Sequence, residues 1–281
     1  MKLYLHYNQA THRGPGKVVH NLLKGLDELG INVVGKPGSA DYYGCLQHPG
    51  GLAEHLPRQT LMGPNIFVLP QHDPGLIRRF NNFVVPSNWV KDLYLKEPKM
   101  HDKQISVWPV GIDTEKWQPL DYYPPQRGQL DCFIYYKNRS ANDLGLVEKS
   151  CKSLKLSYEI NEYGSYTEET LLTRCQHAKF AILLTDTESQ GVAYMNILST
   201  NTPCYVINKT NWEGQCAATS VPYFDKRCGE ITDSALINIE KLEAFMNDAA
   251  HQEYSPREYI LENHSLVYAA SKYVKILKDI V

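Results

Sequence analysis

The stretch Leu183 to Ile207, LLTDTESQGVAYMNILSTNTPCYVI, concentrates the chemistry of this chain, because a carboxylate and a glycine stand between an apolar strand pattern and a helical one. Backbone N–H groups at a helix start lack intrahelical partners, and with the helix dipole they favour an anion such as phosphate. Gly191 lets a ligand approach the backbone closely. Glu188, just before the helix, can accept hydrogen bonds from sugar hydroxyls. Thr185, Asp186, Thr187 and Glu188 are also common helix-capping types, so plain capping is the alternative for this segment.

A second group of candidates is basic. In Ile134 to Arg139, IYYKNR, Lys137 and Arg139 fall at the end of an apolar strand. Open parallel sheets bind ligands outside the carboxyl ends of their strands, so both are placed to meet an anion; a solvated surface loop is the alternative. The loop Arg13-Gly14-Pro15-Gly16-Lys17 is neither a Walker loop nor a GxGxxG turn, since position 19 is Val19, which removes support for NTP hydrolysis and for NAD binding. His48 and His72 each follow a plausible strand end of the first half, and each is also an ordinary loop histidine. Gly111-Ile112-Asp113 is read as a turn with a helix cap and is assigned no chemistry. No Asp-x-Asp pair suited to a divalent cation stands at a strand end, so no metal and no cofactor are expected.

The elements that must position these residues follow from periodicity. Lys2–His6 reads as a strand, residues 8–16 as a loop, 17–29 as a helix with Val18, Val19, Leu22, Leu23 and Leu26 at helical spacing, and Ile31–Val34 as a strand, which completes a βαβ unit. Parallel sheet is the consequence. Apolar runs at 66–69, 83–85 and 105–107 and a helical stretch at 88–95 extend a first doubly wound domain over residues 1–117. Residues 118–129, QPLDYYPPQRGQ, have the composition of a linker. The alternation restarts over 130–281, with strands at 132–136, 157–161, 180–184 and 204–207, helices at 142–154, 167–178 and 191–199, and a mainly helical tail from Leu236.

The composition excludes several classes. With 281 residues, 43% hydrophobic and 21% charged, the chain can bury one or two cores and is not of disordered or collagenous type. A formal net charge of -2 supplies no field for generic phosphate-backbone binding, so nucleic acid is not an implied partner. The seven cysteines are scattered without a CxxC pair and read as reduced thiols. Neither a signal-peptide core at the start nor a long apolar window is present, so a cytoplasmic protein without a transmembrane segment is expected.

With these residues in view, the chain resembles the group 1, retaining GT-B glycosyltransferases over nearly its whole length. The segment 188–203 is similar to their donor-site signature: an acidic residue, a short glycine turn, a helix, and a small-residue-plus-proline strand start at Thr202-Pro203. The runs FVVPSNWVKDLY and ISVWPVGIDTEKW resemble the close of that family's N-terminal domain. The resemblance implies two Rossmann-like domains facing across a cleft, with C-terminal helices. It places Glu188 on the donor sugar, the turn backbone of Gln190, Gly191 and Val192 on the diphosphate, and Lys137 and Arg139 against the departing diphosphate. Asn196 stands where the family has a second glutamate on the ribose, and an asparagine can still hydrogen-bond there. Gly14 and Gly16 would lean over the phosphates, and His48 or His72 would contact the sugar. The implied activity is metal-independent transfer from a nucleoside-diphosphate sugar, with retention, to a hydroxyl of a glycan, glycoprotein or other acceptor. A nucleotide-sugar epimerase and a catalytically inactive nucleotide-sugar or partner-binding module are the competing readings, since fold alone does not decide between them.

Overall fold

A computed structural model describes residues 1–8, 14–120 and 130–280. In chain order come β1 (Lys2–His6), α1 (Gly14–Glu28), β2 (Asn32–Val34), β3 (Tyr42–Gln47), β4 (Leu61–Asn65), α2 (Pro74–Arg79), β5 (Asn82–Val85), α3 (Asn88–Tyr94) and β6 (Gln104–Val107). They are followed by β7 (Leu130–Lys137), α4 (Ala141–Ser153), β8 (Tyr158–Glu162), α5 (Glu168–His177), β9 (Ala178–Thr185), α6 (Val192–Ser199) and β10 (Cys204–Ile207). A small hairpin, β11 (Asn211–Trp212) and β12 (Cys216–Ala217), precedes β13 (Gly229–Thr232), α7 (Ile239–Ala250), α8 (Pro256–His264) and α9 (Leu266–Asp279). The chain divides into two compact units, Met1–Gly111 with His264–Val281, and Ile112–Asn263.

In the first unit, the described strands form a parallel sheet in the order β2-β1-β3-β4-β5-β6. The chain adds β2 on one side of β1 and β3 on the other, so the connections diverge between β1 and β3. Phe80, Phe83, Val85, Met100 and their neighbours fill the core on one face. The expected strand at 66–69 is not formed. The strand is Leu61–Asn65, LMGPN, whose Gly-Pro pair has the look of a turn. Gly63 belongs there because it has φ +123° and a Cβ would collide with the Val84 carbonyl of the neighbouring strand. Gly14, Pro15 and Gly16 open α1 instead of forming a loop, and Arg13 lies outside the described residues.

The final helix returns to this first unit, whereas the sequence pattern grouped residues 130–281 together. Its buried stripe, Leu266, Ala269, Ala270, Tyr273, Val274 and Leu277, repeats at helical spacing. Two features fit it to the first unit. A Cβ on Gly25 of α1 would meet the Leu266 carbonyl and Ala270, so only glycine allows the helices this close. The buried Trp108 Nε1 donates to the Ala269 carbonyl at 2.7 Å.

The second unit repeats the order of connections. Its described parallel strands run β13-β10-β9-β7-β8, and they diverge between β7 and β9. Cys132, Ile134, Ile182, Leu184, Tyr205 and Ile207 pack against Val147 of α4 and Leu242 and Phe245 of α7. Residues 112–120 belong to this unit. The Trp117 carbonyl accepts from Ser199 Oγ at 2.6 Å and from Arg257 at 3.0 Å, and Arg257 also donates to the carbonyls of Ser199 and Thr114. The first unit therefore ends at Gly111, ahead of the expected limit at Trp117, and residues 121–129 of the expected linker lie outside the described residues. All seven cysteines are buried and free.

Candidate functional site

In an open parallel sheet, the loops leaving two adjacent strands in opposite directions open a crevice at their carboxyl ends. In the second unit this is the β7/β9 edge, where β7 ends on Lys137 and β9 on Thr185, paired with each other in register. The chain then runs through Asp186–Gln190 into α6. Asp186 N–H donates to the Lys137 carbonyl at 3.0 Å, and Glu188 N–H donates to the Thr219 carbonyl at 3.0 Å. These bonds tie the loop to β7 on one side and to the segment after the hairpin on the other.

Lys137 and Glu188, 51 residues apart, meet here: Lys137 Nζ donates to Glu188 Oε1 at 2.6 Å. Their side chains are 21% and 15% exposed, so the pair is largely withdrawn from water without being sealed. Burial pushes the Glu188 carboxyl above the usual range; the charge and hydrogen bond of Lys137 pull it back without cancelling the rise, and Asp186 adds to it. The Lys137 ammonium also lies over the ring of Tyr163, 4.6 Å from its centroid. Tyr135 is buried and Tyr166 half-buried, and their hydroxyls are 3.0 Å apart. Both phenols are held above their ordinary pKa chiefly by burial, with the Glu188 charge contributing.

Gly191 stands at the start of α6 in the left-handed region, φ +75°. A Cβ there would fall into the ring of Tyr194, so glycine is dictated by conformation and packing together. Gln190 and Asn196 are both buried. Val192 and Asn196, four apart on α6, lie on one side of that helix.

Arg139 is differently engaged from what its position alone implied. Its side chain is only 8% exposed; Nε donates to Asp143 Oδ2 at 3.0 Å, and Nη1 donates at 3.1 Å to the carbonyls of both Thr185 and Ile207. The guanidinium thus pins the carboxyl ends of β9 and β10 to the first turn of α4. It is a brace beneath the site.

In the first unit, α1 begins at Gly14, and Gly14 and Gly16 lie in its opening turn. His48 has both ring nitrogens in use: Nε2 is 2.9 Å from Asp73 Oδ2, and Nδ1 accepts from the Gly50 N–H at 3.1 Å. Since Nδ1 accepts, the proton resides on Nε2, directed at Asp73. Asp73 Oδ1 caps α2 through Leu76 N–H at 3.0 Å. His72 is exposed in a short 3-10 turn. Among the described residues no group of three or more His, Cys, Asp or Glu is placed to hold a metal ion, and no helix is long and apolar enough to cross a membrane.

The sequence reading named Lys137, Glu188 and Gly191 but passed over Tyr163, Tyr135 and Tyr166. A lone tyrosine carries no signal until the β7/β8 register sets Tyr163 beside Lys137.

This arrangement, two flavodoxin-ordered parallel sheets with a charge pair at a switch point, defines an α/β protein with two Rossmann-like units. No protein-family model matches the chain. No curated protein sequence matches it significantly. Solved structures do share its fold. AviGT4, a glycosyltransferase involved in avilamycin A biosynthesis, is 15% identical with a TM-score of 0.63, over 99% of this chain and 97% of that one. Sucrose-phosphate synthase from Thermosynechococcus elongatus is 11% identical with a TM-score of 0.65, over 99% and 98%. The apo lipopolysaccharide outer core galactosyltransferase WaaB is 12% identical with a TM-score of 0.61, over the full length of both chains. The fold is the GT-B fold of two Rossmann-like domains.

Proposed function

We propose that this chain is a glycosyltransferase that moves a sugar from a nucleoside-diphosphate donor to an acceptor hydroxyl, with retention of configuration. The observation that carries the reading is the Lys137–Glu188 pair at the β7/β9 switch point, directly before a helix that starts on a left-handed glycine. Leaving-group charge grows on the diphosphate as the glycosidic bond breaks, and a preorganised cation with backbone N–H groups stabilises it. In this reading Lys137 and the N–H groups at Gly191 and Val192 take the diphosphate, with Gln190 in the turn ahead of them. Glu188 exchanges part of its bond to Lys137 for hydroxyls of the donor sugar, and Asn196 serves the ribose. His48 and His72 are assigned no chemistry, because the first is committed on both nitrogens and the second is an exposed turn residue.

The balance of charge favours a site that works without a metal, since Lys137 and backbone donors supply the positive end. Acceptors of the class are glycans, glycoproteins or other hydroxyl compounds. The reading is tested by thermal unfolding of the wild type and Lys137→Ala against UDP-, ADP- and GDP-sugars. A ligand bound by the folded state alone raises apparent stability. A rise in Tm with one donor, lost in Lys137→Ala, supports the proposal. No rise with any donor refutes it.

A further inference from the structure

Tyr163 is a large aromatic residue left 44% exposed at the edge of the site. Its place is set by the backbone: β7 and β8 pair as far as Tyr136 and Glu162, and Tyr163 N–H continues the ladder by donating to the Tyr136 carbonyl at 2.9 Å. The next pair in that register is Lys137 with Tyr163, and side chains opposite each other in a ladder share a face. The ring accordingly meets the ammonium, with Nζ 4.6 Å from its centroid, inside the range of a cation–π contact.

The geometry distinguishes two partners of Lys137 by what they consume. An ammonium has three N–H donors. Glu188 takes one and balances the charge. An aromatic face attracts the cation through its quadrupole, yet brings neither a formal negative charge nor a strong acceptor that would compete with phosphate oxygens. A second carboxylate at position 163 would fix the lysine equally well and leave it unable to receive an anion. A flexible lysine stem loses considerable rotamer freedom when it is fixed, so a contact that fixes it before the ligand arrives lowers the cost of binding.

We propose that Tyr163 is a positioning residue of this site: its ring holds the Lys137 ammonium ready for a diphosphate without neutralising it. The inference rests on the transferase reading and adds to it a residue that acts through Lys137.

The experiment is calorimetric titration of the wild type, Tyr163→Phe and Tyr163→Leu with UDP, ADP and GDP, and with the corresponding nucleosides, at low salt. Each variant is first checked for native circular dichroism. Tyr163→Leu, which keeps apolar bulk but no quadrupole, weakens binding of the favoured diphosphate by ~3- to 30-fold. Nucleoside binding is unchanged within about twofold, and Tyr163→Phe rescues the diphosphate affinity. Wild-type affinity in Tyr163→Leu overturns the proposal, as does a loss in Tyr163→Phe as large as in Tyr163→Leu, which would move the role to the hydroxyl. A wild type that binds none of the three diphosphates overturns the transferase reading itself and the proposal with it.

Discussion

Lys137→Met gives the sharpest test of the energetics at the switch point, because it removes an ammonium and leaves the Glu188 carboxylate where it is. The bond that is lost is 2.6 Å long, between side chains 21% and 15% exposed. Breaking a fully buried pair costs ~3–5 kcal/mol, and the residual exposure brings the expected figure to about 2–3 kcal/mol at neutral pH. For a unit of this size that is a fall in Tm of about 4–12 °C. The pH dependence gives the effect its signature. Glu188 is already raised by burial despite Lys137, so the folded state favours its protonated form. Stability tied to this group is fully present below the ordinary carboxylate range and is lost as pH rises through the folded pKa. Without Lys137 the folded pKa climbs further and the loss extends to higher pH. The variant should therefore trail the wild type only slightly at about pH 4 and by the full amount at about pH 8. Adding Glu188→Gln should recover most of the deficit. Thermal unfolding followed by circular dichroism at both pH values is the assay; equal deficits at both, or none, would refute the reasoning.

Three further outcomes follow from neighbouring residues. Arg139→Met should lower stability by about 2–4 kcal/mol in urea unfolding, because it takes one donor each from Asp143 and the Ile207 and Thr185 carbonyls, the last keeping its bond from Ser220 Oγ; Arg139→Lys should restore little, since one ammonium cannot reproduce the fork. Gly191→Ala should cost about 1–3 kcal/mol of stability and weaken diphosphate binding together, because the Cβ meets Tyr194 at a positive φ; unchanged urea midpoints would contradict this. Sugar transfer should survive EDTA, and activity lost to the chelator and regained with Mg²⁺ or Mn²⁺ would remove the role given to Lys137 and the backbone donors.

Much of this was legible in the sequence where local pattern and tertiary structure agree. The βα alternation of the second unit, the α6 start at Gly191 and the basic strand end at Lys137 all follow from periodicity and from residues that act on their immediate backbone. Long-range facts were not. The strand LMGPN reads as a turn because its glycine is required by a carbonyl of the next strand, which only the sheet supplies. The stripe on α9 announces a buried helix face but not which unit buries it. Arg139 reads as an anion binder from its place at a strand end, whereas its partners are carbonyls of β9 and β10 contributed 46 and 68 residues later. Lys137 and Glu188 were each visible as candidates; their union, and the tyrosine ring beside it, depended on the register of β7 with its neighbours.

The central claim is that Glu188 and Lys137 form a donor-sugar site that transfers. It is tested most directly by following sugar transfer from a panel of nucleoside-diphosphate sugars to mixed acceptors by mass spectrometry, for the wild type and Glu188→Gln, with the diphosphate affinity of each measured alongside. The account predicts turnover of one donor by the wild type, a drop of ~10²- to 10³-fold in Glu188→Gln, and diphosphate affinity preserved within about threefold, because the nucleotide does not need the sugar contact. Undiminished transfer by Glu188→Gln, or diphosphate affinity lost in step with transfer, would contradict it.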